Sequence, residues 1–344
     1  MFLGRRGRYI QSMLSSVISL RGLFVSALVA LSACVSPPPL AESVPALPRH
    51  ELPSRPQGEI IVCGQRVPVD APVLLWTEAP HYDAYSSTHR FQPKAGRVLA
   101  EEGPRLLEGR AARGELPELA AGSEDLSLLR QHVTQFVIHY DVCASSRRCF
   151  EVLQDMRGLS VHFMLDVDGT IYQTCDVRET CWHASQANKA SIGIEIANIG
   201  AYPVGAGAEV LDAWYESDSE GVYMVYPPWF GETGVRTQGF TPRPRRAERV
   251  RGMAHGVEFE QHDFTAEQYR SLAALTRALC DVLEMPLAVP SDSEGKPRTD
   301  ALSDEELAAW SGLIGHQQIT TRKSDPGPAF DWEHLFELTR RLDS

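Results

Sequence analysis

Three side chains of this sequence have the types that could jointly hold a metal: His139, His316 and Asp325. His139 ends the β-branched and aromatic run Gln135–His139, and a strand end fixes a backbone while its side chain meets a cleft. His316 ends the apolar run Gly312-Leu313-Ile314-Gly315, and Asp325 follows in Arg322-Lys323-Ser324-Asp325-Pro326-Gly327-Pro328. Two imidazoles and a carboxylate leave one coordination position of zinc open, which is what metal-assisted hydrolysis requires. No His-Glu-x-x-His segment occurs, so the helical zincin geometry is excluded. Spacing alone does not select a metal, because a single histidine is more often a hydrogen-bonded core or surface residue. Glu195 is the other conspicuous residue, a carboxylate inside the apolar run Ser191–Ile196 (SIGIEI). An unpaired charge in a buried strand is costly, so Glu195 either faces outward or is used.

The elements that must position these groups are readable from pattern. Gln135–His139 and Ser191–Ile196 read as buried strands, and Glu59–Cys63 and Val73–Thr77 as short β runs. Val161–Asp166 and Thr170–Gln173 flank Asp168-Gly169, a strong two-residue hairpin signal. Helices are expected near Leu126–His132, over Phe150–Arg157, over Phe264–Met285, over Asp304–Trp310 and at the C-terminus. The third of these has Thr265 to cap it, Gln268 three residues on, and Leu272, Leu275 and Leu279 along one face. Residues 198–262 lose periodicity and read as a long irregular surface insertion that lines or covers the cleft. Its basic stretch Arg243–Arg251 (RPRRAERVR) reads as a solvated face.

The chain has 344 residues with 43% hydrophobic and 23% charged, which is globular composition. Lys plus Arg total 33 against 45 Asp plus Glu, for a net charge of -12. Such a balance argues against a nucleic-acid partner, whose phosphates demand a basic face. Residues 1–33 carry Arg5, Arg6, Arg8 and Arg21, no acid, and the apolar run Leu23–Ala33, which is too short to span a bilayer. This reads as an export signal. Its end, Leu31-Ser32-Ala33-Cys34, resembles the lipobox of bacterial lipoproteins. That resemblance implies cleavage at Cys34, acylation of its thiol and, with no Asp beside it, a periplasm-facing place on the outer membrane. Residues 34–57 are proline-rich and read as an extended tether.

Cysteine usage agrees with export. Cys143/Cys149 and Cys175/Cys181 share one spacing, and neither has the two-residue gap of a zinc ribbon, so disulfides are favoured over metal. Cys63 and Cys280 remain, and the connectivity is left open.

Several blocks carry a family resemblance. Phe136-Val137-Ile138-His139, Ser160-Val161-His162-Phe163-Met164-Leu165-Asp166 and Asp168-Gly169-Thr170-Ile171-Tyr172-Gln173 resemble the type 2 N-acetylmuramoyl-L-alanine amidases. So do Trp182-His183-Ala184, Asn188, Ser191-Ile192-Gly193-Ile194-Glu195 and Phe264-Thr265-Ala266-Glu267-Gln268-Tyr269. Gly315-His316 and Lys323-Ser324-Asp325-Pro326-Gly327-Pro328-Ala329-Phe330-Asp331-Trp332 complete the order. The Cys143/Cys149 pair also resembles the small disulfide of the related peptidoglycan-recognition proteins.

The resemblance implies an α/β fold with a central mixed sheet flanked by helices, carried by residues 133–344. Residues 58–132 are then an N-terminal extension packed on that domain. It also implies hydrolysis of the amide between N-acetylmuramic acid and L-alanine, with one zinc ion held by His139, His316 and Asp325. Glu195 matches the carboxylate that takes the water proton, and Lys323 the cation beside the developing oxyanion. Val161 stands where some members have a tyrosine, which leaves the chemistry to Glu195. The interval from His316 to Asp325 looks one residue shorter than in close members. His183, Arg178 and Asn188 are the candidate substrate contacts, and His162 is expected to be structural. The rival expectation is a module that binds muropeptides without cutting them, as superfamily members lacking a zinc ligand do. An immune or phage lysis protein is disfavoured by the lipobox.

Overall fold

The long apolar runs become the inner strands of one sheet. The computed structural model describes residues 58–86, 88–91 and 125–342, all within the unit Pro53–Ser344. Cys34, the export signal and the tether lie outside the described residues. The central sheet has six strands in the order β13-β4-β7-β5-β6-β3. These are β3 Val73–Leu75, β4 Gln135–Tyr140, β5 Phe163–Leu165, β6 Ile171–Gln173, β7 Ser191–Ile196 and β13 Gly312–Gly315. All neighbours run parallel except the β5–β6 hairpin, so the sheet is mixed. Gly169 turns that hairpin at φ +84°, a left-handed conformation that glycine enters without a Cβ penalty.

Burial on both faces explains why β4 and β7 read as continuous apolar runs rather than alternating ones. One face is covered by α4, Ala266–Leu283, whose capping box is formed by Thr265 and Gln268. Helices α1 Leu126–His132 and α6 Trp332–Arg341 share its core, where Leu129, Phe136, Ile138, Leu272, Leu275, Leu279 and Leu335 are buried. The other face is covered by α2 Ser146–Phe150 with its wide continuation Glu151–Met156, and by α5 Asp304–Ala309. The hairpin β1 Glu59–Val62 and β2 Gln65–Pro68 adds Ile60 and Val62 to the main core. Because β3 is itself the sheet edge beside β6, residues 58–75 are built into the same body as the strands that follow.

Residues 198–262 are folded, which corrects the expectation of an irregular loop. They hold β8 Tyr202–Pro203, α3 Ala208–Trp214, the hairpin β9 Tyr215–Asp218 with β10 Gly221–Met224, and the hairpin β11 Val250–Ala254 with β12 Val257–Gln261. A separate apolar cluster of Leu211, Tyr215, Met224 and Ile199 supports them. The arginines of 243–251 form ion pairs with carboxylates instead of a bare basic face. Arg243 pairs with Asp218 and Glu220, Arg245 with Asp331, Arg246 with Asp263, Arg249 with Asp212, and Arg251 with Glu260. Among the described residues no helix is long and apolar enough to cross a membrane.

Candidate active site

The carboxyl ends of β13, β4 and β7 meet at one place, where open α/β sheets form their sites. Parallel register sets Glu195 of β7 opposite His139 of β4, and Gly315 of β13 opposite Ile138. His316 therefore leaves β13 next to His139. Asp325 returns on the following loop, held by the Gln317 N–H donating to its carbonyl at 2.8 Å and followed by a cis bond to Pro326. Gly315 allows this return, since a Cβ there would lie 2.7 Å from Pro326 Cδ.

His139 Nδ1 and His316 Nδ1 both point at Asp325 Oδ2, at 2.8 and 3.0 Å. The two rings stand edge to face with centroids 4.6 Å apart. All three residues are buried, and their ligand atoms lie within 4.8 Å of one another. Two imidazole nitrogens and a carboxylate oxygen converging on one point are a donor set that fits zinc and leaves it a further position. Burial lowers the His139 pKa to about 4, against the pull of Asp325, so its ring is neutral and its lone pair available. Burial alone would raise Asp325, but His316 and His139 hold it well below the usual carboxylate range.

Glu195 is partly buried, and its carboxylate makes no hydrogen bond or ion pair with any described residue. Burial, then the charges of Asp325 and Asp141, push it well above the usual range, while Lys323 works in the opposite direction. Lys323 is exposed on the loop two residues before Asp325. Ser324 between them is hydrogen-bonded to the Tyr140 hydroxyl at 2.6 Å.

Each of the three candidate substrate contacts also has partners within the protein. His183 Nδ1 lies 3.0 Å from His139 Nε2, so it backs a candidate metal ligand. Asn188 Oδ1 accepts from the backbone N–H of His183 and of Ala184, at 3.1 and 2.6 Å, and so braces that loop. Arg178 pairs with Glu179 at 3.3 Å and lies 3.8 Å from Asp176, beside the β1–β2 hairpin that Asp176 holds through Cys63 and Gly64. His162 is structural, with both ring nitrogens on backbone groups. No S–S bond joins the six described cysteines; Cys175 and Cys181 touch, Sγ to Sγ at 3.3 Å, while Cys143 lies between β4 and α2 and Cys149 within α2.

Sequence reasoning missed two supports. The buried Asp141 carboxylate accepts from the N–H groups of Cys143, Ala144 and Asn198, and burial pushes it up to about 7. Its place two residues past His139 was the available hint. His255, at the β11–β12 turn, donates from Nε2 to the Lys323 carbonyl at 2.9 Å. No pattern in the insertion foretold that contact.

A mixed sheet with a His, His, Asp cluster at its carboxyl edge defines a class of candidate metal-dependent hydrolases. The family model described as N-acetylmuramoyl-L-alanine amidase matches residues 129–328, more than half of the sequence, and the chain belongs to that family. Among solved structures it is similar to a complex of the N-acetylmuramyl-L-alanine amidase AmiD from E. coli with the substrate anhydro-N-acetylmuramic acid-L-Ala-D-gamma-Glu-L-Lys. That match has 18% identity and a TM-score of 0.34, covering 60% of this chain and 57% of the other. The chain thus spans little more than half of that structure's length. It is also similar to a selenomethionine derivative of AmpD, at 18% identity over 70% of this chain and 95% of the other, with a TM-score of 0.29. A third is the endolysin amidase LysCS from Clostridium intestinale, at 14% identity over 62% and 86%, with a TM-score of 0.29. No curated protein matches the chain.

Proposed function

We propose that this protein is a zinc-dependent N-acetylmuramoyl-L-alanine amidase acting on peptidoglycan or on muropeptides released from it. The observation that carries the reading is the convergence of His139, His316 and Asp325 beside Glu195, inside the segment that matches the family. When bound by those three residues, zinc supplies Lewis acidity and lowers the pKa of water at its open position. Glu195, with no competing partner, takes a proton from the attacking water and returns it to the leaving nitrogen of L-alanine. A carboxylate whose pKa is raised is suited to both transfers. Lys323 stabilises the negative charge that develops on the lactyl carbonyl oxygen. Asp325 stays ionised through the cycle, and the Tyr140–Ser324 bond keeps its loop and Lys323 in place.

The same proposal places the protein in a bacterial envelope, anchored through an acylated Cys34 on the outer membrane and facing the periplasm. Support for this part is the sequence of residues 1–57 alone. Labelling cells with a radioactive fatty acid should mark the protein, and label persisting in a Cys34→Ala variant would refute the anchor.

The activity is tested by incubating the purified full chain with muropeptides, with zinc added and then chelated, and reading products by mass spectrometry. Zinc-dependent release of stem peptide beginning at L-alanine is expected. Muropeptide that binds but stays whole in the zinc-loaded protein would overturn the enzyme in favour of a recognition module.

A further inference from the structure

We propose that Cys175 and Cys181 form a structural disulfide that holds His183 against the metal ligand His139. Among the described residues, His162, Cys175 and Cys181 make the second cluster whose ligand atoms lie within 4.8 Å of one another. All three side chains are completely buried. Such a group could be a metal site or a thiol pair, and the hydrogen bonds of His162 decide between them. The Gly193 N–H donates to Nδ1 at 3.2 Å, so Nδ1 must be the acceptor nitrogen. Nε2 lies 2.9 Å from the Glu179 carbonyl, so Nε2 must carry the proton. The ring is thereby committed on both sides and has no lone pair left to give. Two thiols alone are too few for zinc, which takes four ligands in a structural site.

The thiols themselves are poised to join. Their sulfurs are 3.3 Å apart, in contact and about 1.3 Å from the bonded separation of about 2.05 Å. The Cys181 thiol, once deprotonated, is the thiolate that attacks an oxidant, with the Cys175 sulfur in contact to resolve the mixed disulfide. Two thiols lose two protons and two electrons as the S–S bond forms. A disulfide-class oxidant accepts them; oxidised glutathione, reduced to two thiols, serves in vitro.

The bond would act on the site through a short path. Cys181 is followed by Trp182, whose N–H donates to Ser160 Oγ at 3.0 Å, and then by His183. His183 Nδ1 meets His139 Nε2 at 3.0 Å, and its ring stands edge to face with that of His162, centroids 5.9 Å apart. Gly193 makes room for it, since a Cβ there would lie 2.5 Å from the imidazole. A partner on the second nitrogen of a metal-binding histidine orients the ring and raises its basicity, and losing one costs about tenfold or more in metal affinity. His183 is thus a positioning residue acting through His139, and the disulfide fixes the segment that delivers it.

The link to affinity rests on His139 being a zinc ligand, as proposed above; the bond does not. The full chain, oxidised with glutathione, is denatured in an alkylating reagent without reductant and digested. The expected result is a cross-linked peptide pair containing unalkylated Cys175 and Cys181, two hydrogens lighter than the dithiol. Alkylation of both, or a native mass showing a second metal lost together with thiol protection, would overturn the bond. Zinc affinity is then measured by chelator competition in wild type, Cys175→Ala/Cys181→Ala, His183→Ala and the triple variant. Both parents should weaken by about tenfold and the triple variant no further. Wild-type affinity in the folded double variant would overturn the coupling, and His183→Ala, which keeps the disulfide, would overturn it the same way should the double variant not fold. A wild type that binds no zinc would instead count against the metal reading while leaving the mass result intact.

Discussion

Glu195 and Lys323 divide the proposed chemistry, and their surroundings separate their roles. Glu195 is partly buried near two other carboxylates and is pushed up, as a group that must both take and give a proton requires. Glu195→Gln keeps the volume and removes the base, so turnover should fall by about 10²- to 10⁴-fold while zinc stays bound. Measured kcat and metal content check this together, and wild-type turnover in that variant would refute the assignment. Lys323→Ala should lower kcat by about 10²- to 10³-fold with zinc affinity unchanged, because the ammonium meets charge only as it develops. At this scale the sequence was most legible where residues sit in family blocks: His139, His316, Asp325 and Glu195 come together as named. His183 was not legible. Its sequence neighbour is Trp182, whereas its imidazole partner lies across a strand and is reached only because residue 193 is glycine. Asn188 and Arg178 were open for a related reason, since polarity in a loop does not reveal whether its partner is substrate, a backbone N–H, as Asn188 holds, or a carboxylate, as Arg178 does.

Elements whose signals are local were read almost residue for residue. Leu126–His132 and Ser191–Ile196 fall where expected, and α4 begins at the residue after its predicted cap, because capping and apolar periodicity are written in neighbouring residues. Residues 198–262 failed because their strands are partly solvated and their turns use unusual residues. The β11–β12 turn has His255 at φ 51° before Gly256 at φ 77°, where asparagine or aspartate would have announced a hairpin. What fastens this region is a set of ion pairs between residues distant in sequence. Asp263 accepts from Arg246 Nε at 2.6 Å and from the Tyr269 hydroxyl at 2.9 Å, with its side chain fully buried. Arg246→Ala leaves that carboxylate with Tyr269, the Phe264 N–H and the more distant Arg245, and should destabilise the fold by about 1–2 kcal/mol. Urea unfolding of the two proteins reads the loss, and an unchanged midpoint would show the pair to be dispensable.

Across the whole molecule, charge is arranged to close the structure rather than to present a field. The net charge of -12 coexists with an arginine-rich stretch whose members are matched to acids, so that stretch offers little for an anionic surface to bind. One consequence is a defined acid response centred on His262. Its ring stacks on Tyr215 at 3.9 Å and accepts from Arg249 Nε at 3.1 Å, which ties α3 and β9 of the insertion to the end of β12. Burial, and then the Arg249 charge, lower its pKa from 6.5 to about 4. Between those values the unfolded chain binds a proton that the folded protein refuses. Stability from this group is therefore complete above pH 6.5, declines as pH falls toward 4, and changes no further below. His262→Phe keeps the stacked ring and removes the titrating nitrogen. Relative to wild type, its melting temperature should rise by about 2–4 °C on going from pH 7.5 to pH 4.5, the shift expected in a chain of this size for the roughly 2–3 kcal/mol that this pKa change carries over the interval. Calorimetry of both proteins at the two pH values isolates this contribution from other acid-sensitive groups, which the two share. A difference in melting temperature that stays constant with pH would mean that His262 takes up its proton in the folded state and that the Arg249 contact does not hold it neutral.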